Sequence, residues 1–276
     1  MSGFFWLASY PKSGNTWLRL ALGSLVQGGA PVTFRSRVAF APIAASRADI
    51  EDVLDAQADG LTDEEAEVLR PRLYEAQARA ATAPLFRKVH DALGRTCAGE
   101  PLFPPRVTLG SVYIVRDPRD VVVSLAHHNG TSIDRAVALM ADPAATLSAN
   151  ITSGKWQLRQ RLSTWSGHVE SWLNQGKSLL LRYEDMLVDP GDGLGRVARH
   201  LGLDAAPDAI QRAVEATRFA RLRAAEDRDG FRESPITGAR FFRRGVAGGW
   251  RDTLTAAQAE RIVTDHSVVM ARLDYR

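Results

Sequence analysis

Short apolar runs recur along this chain, each closed by a turn signal and most followed by a stretch whose apolar residues return every three or four positions. The first run, Phe4 to Ser9, ends at Tyr10-Pro11 and predicts a buried strand entering a loop. Asn15 to Val26 then has helical spacing until Gly28-Gly29 stops it. Residues 30–48 lack a clear period. Asp49 to Ala58 and Thr62 to Ala81 are predicted helices, the second opened by Thr62 and Glu65 as a capping box, with Pro71 expected to kink or split it. Pro84 to His90 and Gly110 to Val115 predict a second and a third strand, the latter apolar enough to be central. Asp117-Pro118 sets an N-cap and first-turn proline for a helix running toward His128.

Residues 131–176 are predicted mostly helical, Ser178 to Tyr183 a further buried strand, Pro207 to Thr217 a helix, Glu226 to Trp250 a long loop, and Thr255 to Leu273 a closing helix. Strands separated by helical crossovers imply parallel pairing. The expected architecture is one α/β domain over residues 1–276, with a central, mostly parallel sheet flanked by helices.

Composition changes this picture little. The chain has 276 residues, 45% hydrophobic and 24% charged, with a formal net charge of +3 and no long basic run. An anionic ligand is therefore allowed but not required. The single cysteine, Cys97, rules out an internal disulfide framework and a cysteine-based metal knuckle, fits a reducing compartment, and reads as a small, partly buried residue. No apolar run approaches membrane-spanning length and no basic leader precedes Phe4, so a cytoplasmic protein is expected.

Four segments carry candidate chemistry. The loop Tyr10-Pro11-Lys12-Ser13-Gly14-Asn15-Thr16-Trp17 joins a buried strand to a helix start. Backbone N–H groups, the helix dipole, a glycine, a lysine and hydroxyls there favour an anion. An ordinary polar strand-to-helix turn has the same composition. Lys12 precedes Gly14, which departs from the usual NTP-binding order, although Thr16 keeps a magnesium-dependent kinase open.

The second segment holds Lys88 and His90, which alternation puts on one face of the strand end. There an imidazole can take a proton and an ammonium can stabilise a leaving oxygen, or both can be solvated. In the third, Arg116 and Ser124 lie near another helix start and suit a phosphate. Asp117 reads as an N-cap more readily than as a magnesium ligand, and Arg119 and Asp120 read as solvated helix residues. The fourth, Arg243-Arg244-Gly245, pairs guanidiniums with a glycine and suits a phosphate clamp, a nucleic-acid patch or a surface loop.

In order and spacing, these segments together resemble the motifs of PAPS-dependent sulfotransferases, which use 3′-phosphoadenosine 5′-phosphosulfate. Trp165-Ser166-Gly167-His168, Tyr183-Glu184-Asp185-Met186 and Thr217-Arg218-Phe219 extend the likeness over nearly the whole chain, and the opening residues resemble bacterial enzymes that tailor small molecules. The resemblance implies a sulfotransferase fold of the P-loop nucleotide kinase type. It places the 5′-phosphosulfate on Lys12, Ser13, Gly14, Asn15, Thr16 and Trp17, with Lys12 near the transferring group and Trp17 beside adenine. The 3′-phosphate falls to Arg116, Ser124, Arg243, Arg244 and Gly245, and the adenine pocket to Tyr183, Thr217 and Phe219. His90 corresponds to the general base and Lys88 to the lysine assisting departure of PAP, the 3′,5′-bisphosphate product. Asn15 and Val89 stand where many relatives have threonine, and Arg244 where they have lysine.

The implied reaction is an in-line displacement by an acceptor hydroxyl. Fixed lysines replace magnesium because a sulfuryl group carries less charge than a terminal phosphoryl group. Residues 30–82 and 129–160 match the family least and are expected to frame the acceptor. A phenol or alcohol on a small molecule is the first expectation and a carbohydrate hydroxyl the second. A P-loop kinase and a non-catalytic binder of nucleotides or nucleic acid are the alternatives; neither nucleic acid nor membrane is expected as a partner. The dimerising segment of some relatives has no convincing copy near the C-terminus.

Overall fold

The structure is a computed structural model that describes residues 2–34, 40–54, 60–148, 157–174, 176–234 and 240–275. Strands β1 (Phe4–Ala8), β2 (Leu85–Val89), β3 (Thr108–Val115) and β6 (Ser178–Arg182) form a sheet in the order β2-β1-β3-β6, with β1 parallel to both neighbours. The sheet is flanked by helices, as the alternating pattern predicts. Contacts divide the described residues into two compact units, one of Met1–Tyr10, Ala41–Tyr113 and Asp142–Ser178, the other of Pro11–Phe40, Ile114–Ala141 and Leu179–Arg276.

The first unit carries β1, β2, most of β3, α2 (Arg47–Leu54) and α3 (Asp63–Ala80). Helix α3 opens on the expected Thr62–Glu65 capping box but runs unbroken through Pro71. Arg70, Pro71, Leu73 and Tyr74 are all buried, and that packing outweighs the backbone bond proline removes. An aromatic core of Phe4, Trp6, Tyr74, Phe103, Tyr113 and Trp172 packs with ring centroids 4.5–6.3 Å apart.

Inside this core Arg70 grips Asp91 with two hydrogen bonds of 3.0 and 2.6 Å while its Nε donates to the Tyr74 hydroxyl at 3.0 Å. Asp91 also accepts from the Arg161 backbone N–H, and its carbonyl accepts from Trp172 Nε1. The turn after β2 is thereby pinned on both sides. The expectation of a mostly helical 131–176 fails at residues 142–148 and 157–164. The Asp142 carboxylate turns back onto the Ala144 N–H and Pro143 ends the helical run; the described residues before α6 (Trp165–Leu173) carry the two-residue strands β4 (Thr146–Leu147) and β5 (Gln160–Arg161), paired antiparallel. Cys97 is exposed rather than partly buried, because it sits in a tight turn whose Gly99 has φ 83°.

The second unit holds α1 (Asn15–Leu25), α4 (Pro118–Asn129), α5 (Ile133–Ala141), α7 (Tyr183–Val188), α8 (Pro190–His200), α9 (Pro207–Ala216), α10 (Phe219–Asp229) and α11 (Ala256–Arg272). Helices α7, α8 and α10 were not expected, and α10 takes the first residues of the predicted long loop. The end of the helix predicted over 49–58 and Gly238 of that loop lie outside the described residues, as do parts of 30–48 and 131–176. Among the described residues no helix is long and apolar enough to cross a membrane.

Candidate active site

In an open α/β sheet, ligands bind beyond the carboxyl ends of strands where connections depart in opposite directions. Here that point lies between β1 and β3, since the chain leaves β1 toward β2 and leaves β3 toward β6. The loops following β1 and β3 carry Lys12 to Asn15 and Arg116, both in the second unit.

The first loop is shaped by backbone that few residues tolerate. Gly14 has φ 104°, and a Cβ there would meet the Tyr183 ring at 2.6 Å, so only glycine starts α1 in this way. Lys12 itself is left-handed at φ 69°, a conformation costing a lysine about 1–2 kcal/mol. Its Nζ lies 3.3 Å from His128 Nδ1 and 3.9 Å from the centre of the Phe241 ring. Ser13 is fully buried, and its Oγ has no hydrogen-bond partner among the described residues. The Thr16 hydroxyl donates to Glu233, which also pairs with Arg19, and Asn15 accepts from Arg19 Nε.

Arg116 crosses above this loop. It donates to the Lys12 carbonyl at 3.4 Å and the Val246 carbonyl at 2.9 Å and lies 4.5 Å from the Tyr183 ring centre, while its buried Nε has no partner among the described residues. Tyr183 in turn meets Trp17 edge to face at 5.7 Å. Arg243 completes the cluster: burial, and then the charges of Arg244 and Arg116, hold its guanidinium below the usual arginine range. Cations held together in this way stabilise an anion between them. Arg244 bonds the Gly249 carbonyl and faces Asp252. Gly245, at φ 64°, lies so close to Phe219 that a Cβ would sit 2.2 Å from the ring.

Two carboxylates hold the arginine segment. Glu226 accepts from the N–H groups of Phe241 and Phe242 and from the Ser234 hydroxyl; Asp120 accepts from the N–H groups of Gly248 and Trp250. Asp120 and Arg119 are thus buried, not solvated: Arg119 pairs with Asp117 and covers Trp250 at 4.3 Å. Asp117 is the N-cap that the sequence implies, accepting from the Arg119 N–H. Asp120, Glu226 and Glu233 were missed; only Asp120 carried a signal, four residues beyond Arg116. Ser124 stands half-buried on α4, and Thr217 is buried with its hydroxyl bonded to the Ala213 carbonyl.

Lys88 and His90 belong to the first unit, His90 one residue past β2, and each is only 9% exposed. His90 Nδ1 lies 2.9 Å from the Ser9 carbonyl, an acceptor only, so Nδ1 carries the proton and the neutral ring's lone pair is on Nε2. His168 holds the His90 carbonyl through Nε2–H at 3.0 Å and accepts from Tyr113 at Nδ1; burial pushes its pKa down to about 4, which keeps it neutral.

Fold and loops together define an α/β protein with a mostly parallel sheet, in which the Lys12 loop and Arg116 lie beside an arginine-rich segment. The Sulfotransferase domain family matches residues 4–273. Sulfotransferase 2B1 of Mus musculus is 24% identical over 266 residues, covering 92% of this chain and 67% of that protein. Sulfotransferase 1A1 of Rattus norvegicus is 25% identical over 280 residues, covering 98% and 85%. Among solved structures, mouse sulfotransferase SULT7A1 complexed with PAP shares the fold with a TM-score of 0.59 at 19% identity over 98% of this chain and 85% of that one. Retinol dehydratase in complex with androsterone and PAP does so with a TM-score of 0.61 at 21% identity over 97% and 80%. The chain belongs to the sulfotransferase domain family and is a sulfotransferase.

Proposed function

We propose that this sulfotransferase moves the sulfuryl group of PAPS to the hydroxyl of a small molecule, without a metal. The observation that carries the donor assignment is the gathering of Arg116, Arg243 and Arg244 beside the Lys12–Thr16 loop, with Arg116 reaching the Lys12 carbonyl. A lysine loop joined to an arginine group suits a ligand with two anionic groups, as PAPS has. Ser13 Oγ and Arg116 Nε, buried donors without a partner among the described residues, fit the same ligand. PAP in the neighbouring structures supports this choice.

In this reading Lys12 and Ser13 hold the sulfuryl end, Trp17, Tyr183 and Phe219 surround adenine, His90 Nε2 takes the acceptor proton, and Lys88 stabilises the departing phosphate oxygen. Asp117, the acid best placed to bind magnesium, is engaged by Arg119, which supports chemistry without it. Phe241 beside the Lys12 ammonium and the half-buried Phe231 and Phe34 support an aromatic acceptor such as a phenol. The segments expected to frame the acceptor, 30–82 and 129–160, include residues 35–39, 55–59 and 149–156, which lie outside the described residues.

PAP is expected to raise the unfolding temperature in the presence of EDTA, corresponding to about 2.7 kcal/mol at a hundredfold excess over its Kd, and AMP to do far less at equal concentration. Equal shifts would refute the second phosphate site. By calorimetry, Arg243→Ala is expected to weaken PAP binding by about 1.5–3 kcal/mol and AMP binding by much less, since one charged hydrogen-bond donor is lost. Equal losses would place Arg243 at the part both ligands share. Transfer from PAPS to 2-naphthol, an alkyl alcohol and a monosaccharide then ranks the acceptor classes.

A further inference from the structure

We propose that His128 is a positioning residue that aims the Lys12 ammonium at the transferring sulfuryl group, an inference that rests on the reading of Lys12 given above. Helix α4 brings His128 to the site one turn beyond Ser124, on the same face. The imidazole Nδ1 stands 3.3 Å from Lys12 Nζ. An ammonium has only protons to offer, so Nδ1 is the acceptor and His128 is neutral with its proton on Nε2. Phe241 presents its ring face to the same ammonium at 3.9 Å and meets the His128 ring edge to face, with centroids 6.2 Å apart at 89°.

Imidazole and ring thus grip Lys12 from two directions. A lysine side chain has four rotatable bonds and loses much freedom when its head is fixed. The backbone shares in the constraint, because Lys12 takes a left-handed conformation that lysine does not favour. A strained backbone and two side chains converging on one ammonium specify the direction of its N–H bonds. Transition-state stabilisation depends on that direction more than on charge alone.

The test compares His128→Leu and His128→Asn in single-turnover sulfuryl transfer from PAPS to 2-naphthol, with PAP affinity measured separately. The leucine variant is expected to lower the rate about 10- to 100-fold and to leave PAP affinity within about threefold, as for loss of one hydrogen bond to a charged group. The asparagine variant is expected to recover most of the rate, because its Oδ1 replaces Nδ1 as acceptor. His128→Gln, whose oxygen sits one bond farther out, should recover less, and this contrast decides the matter even if the leucine variant does not fold.

In a Lys12→Met background, His128→Leu should cost nothing further. Wild-type rates in His128→Leu, equal losses in the asparagine and glutamine variants, or a full additional loss in the Lys12→Met background would each overturn the proposal. A wild-type rate in Lys12→Met alone would instead overturn the role of Lys12, and the proposal with it.

Discussion

His90→Ala is expected to lower single-turnover sulfuryl transfer about 10²- to 10⁴-fold while leaving PAP affinity unchanged, the range typical of a lost general base. The expectation follows from the Nδ1–H bond to the Ser9 carbonyl, which leaves the neutral ring with its lone pair on Nε2. The deficit should be larger with an alkyl alcohol than with a phenol, whose more acidic hydroxyl needs less help in losing its proton. Asp91 is a poor substitute base, because Arg70 and the Arg161 N–H already engage its carboxylate. Rapid-quench measurement of labelled product, with PAP binding followed by calorimetry, checks both halves. Near-normal transfer by the folded variant would remove His90 from the chemistry, and lost PAP binding would make it structural.

Arg70→Ala is expected to destabilise the protein by about 3–5 kcal/mol, the cost of leaving one partner of a buried ion pair alone. Arg70 and Asp91 are each 1% exposed, so solvent cannot take over when the guanidinium is removed. The Tyr74 hydroxyl also loses the hydrogen bond it accepts from Arg70 Nε. The double replacement Arg70→Met with Asp91→Leu should lose less stability than Arg70→Ala, since no lone charge is then buried. Urea denaturation midpoints measure both. A loss below about 1 kcal/mol in Arg70→Ala, typical of an exposed pair, would show that water reaches Asp91.

The parts of the fold that the sequence made legible are those where local chemistry and tertiary role agree. Strands β1, β2 and β3 are short apolar runs bounded by turn residues, α4 and α11 carry start signals in the right register, and α1 shows helical spacing closed by Gly28-Gly29. Helix α8 was missed because Gly191, Gly193 and Gly195 weaken a helical pattern; two of these glycines are buried helix positions. Helix α10 merged into the arginine- and glycine-rich stretch that follows it, and α7 is only 6 residues long. Pro71 misled in the opposite direction, toward a break that core packing prevents.

The cationic residues of the site fall in segments that stand out only jointly, by order and spacing, since each loop alone reads equally well as an ordinary turn or surface loop. Their carboxylate supports were not legible, because Asp120 reaches Gly248 across 128 residues and Glu233 reaches Thr16 across 217. No local pattern encodes such a pairing. The tautomer of His90 was equally hidden, since a backbone carbonyl sets it.

The two carboxylates flanking the arginine segment change the entropy of ligand capture. With Phe242 fixed by Glu226, Val246 by Arg116 and Gly248 by Asp120, the backbone around the two arginines is anchored on both sides. Ordering a residue costs about 1–2 kcal/mol, so a loop left loose over its whole length would forfeit most of the affinity that two guanidiniums can supply. Folding has already met that cost. On the proposed donor assignment the nucleotide meets a preorganised hook, and weakening that hook would show mainly in the dissociation rate.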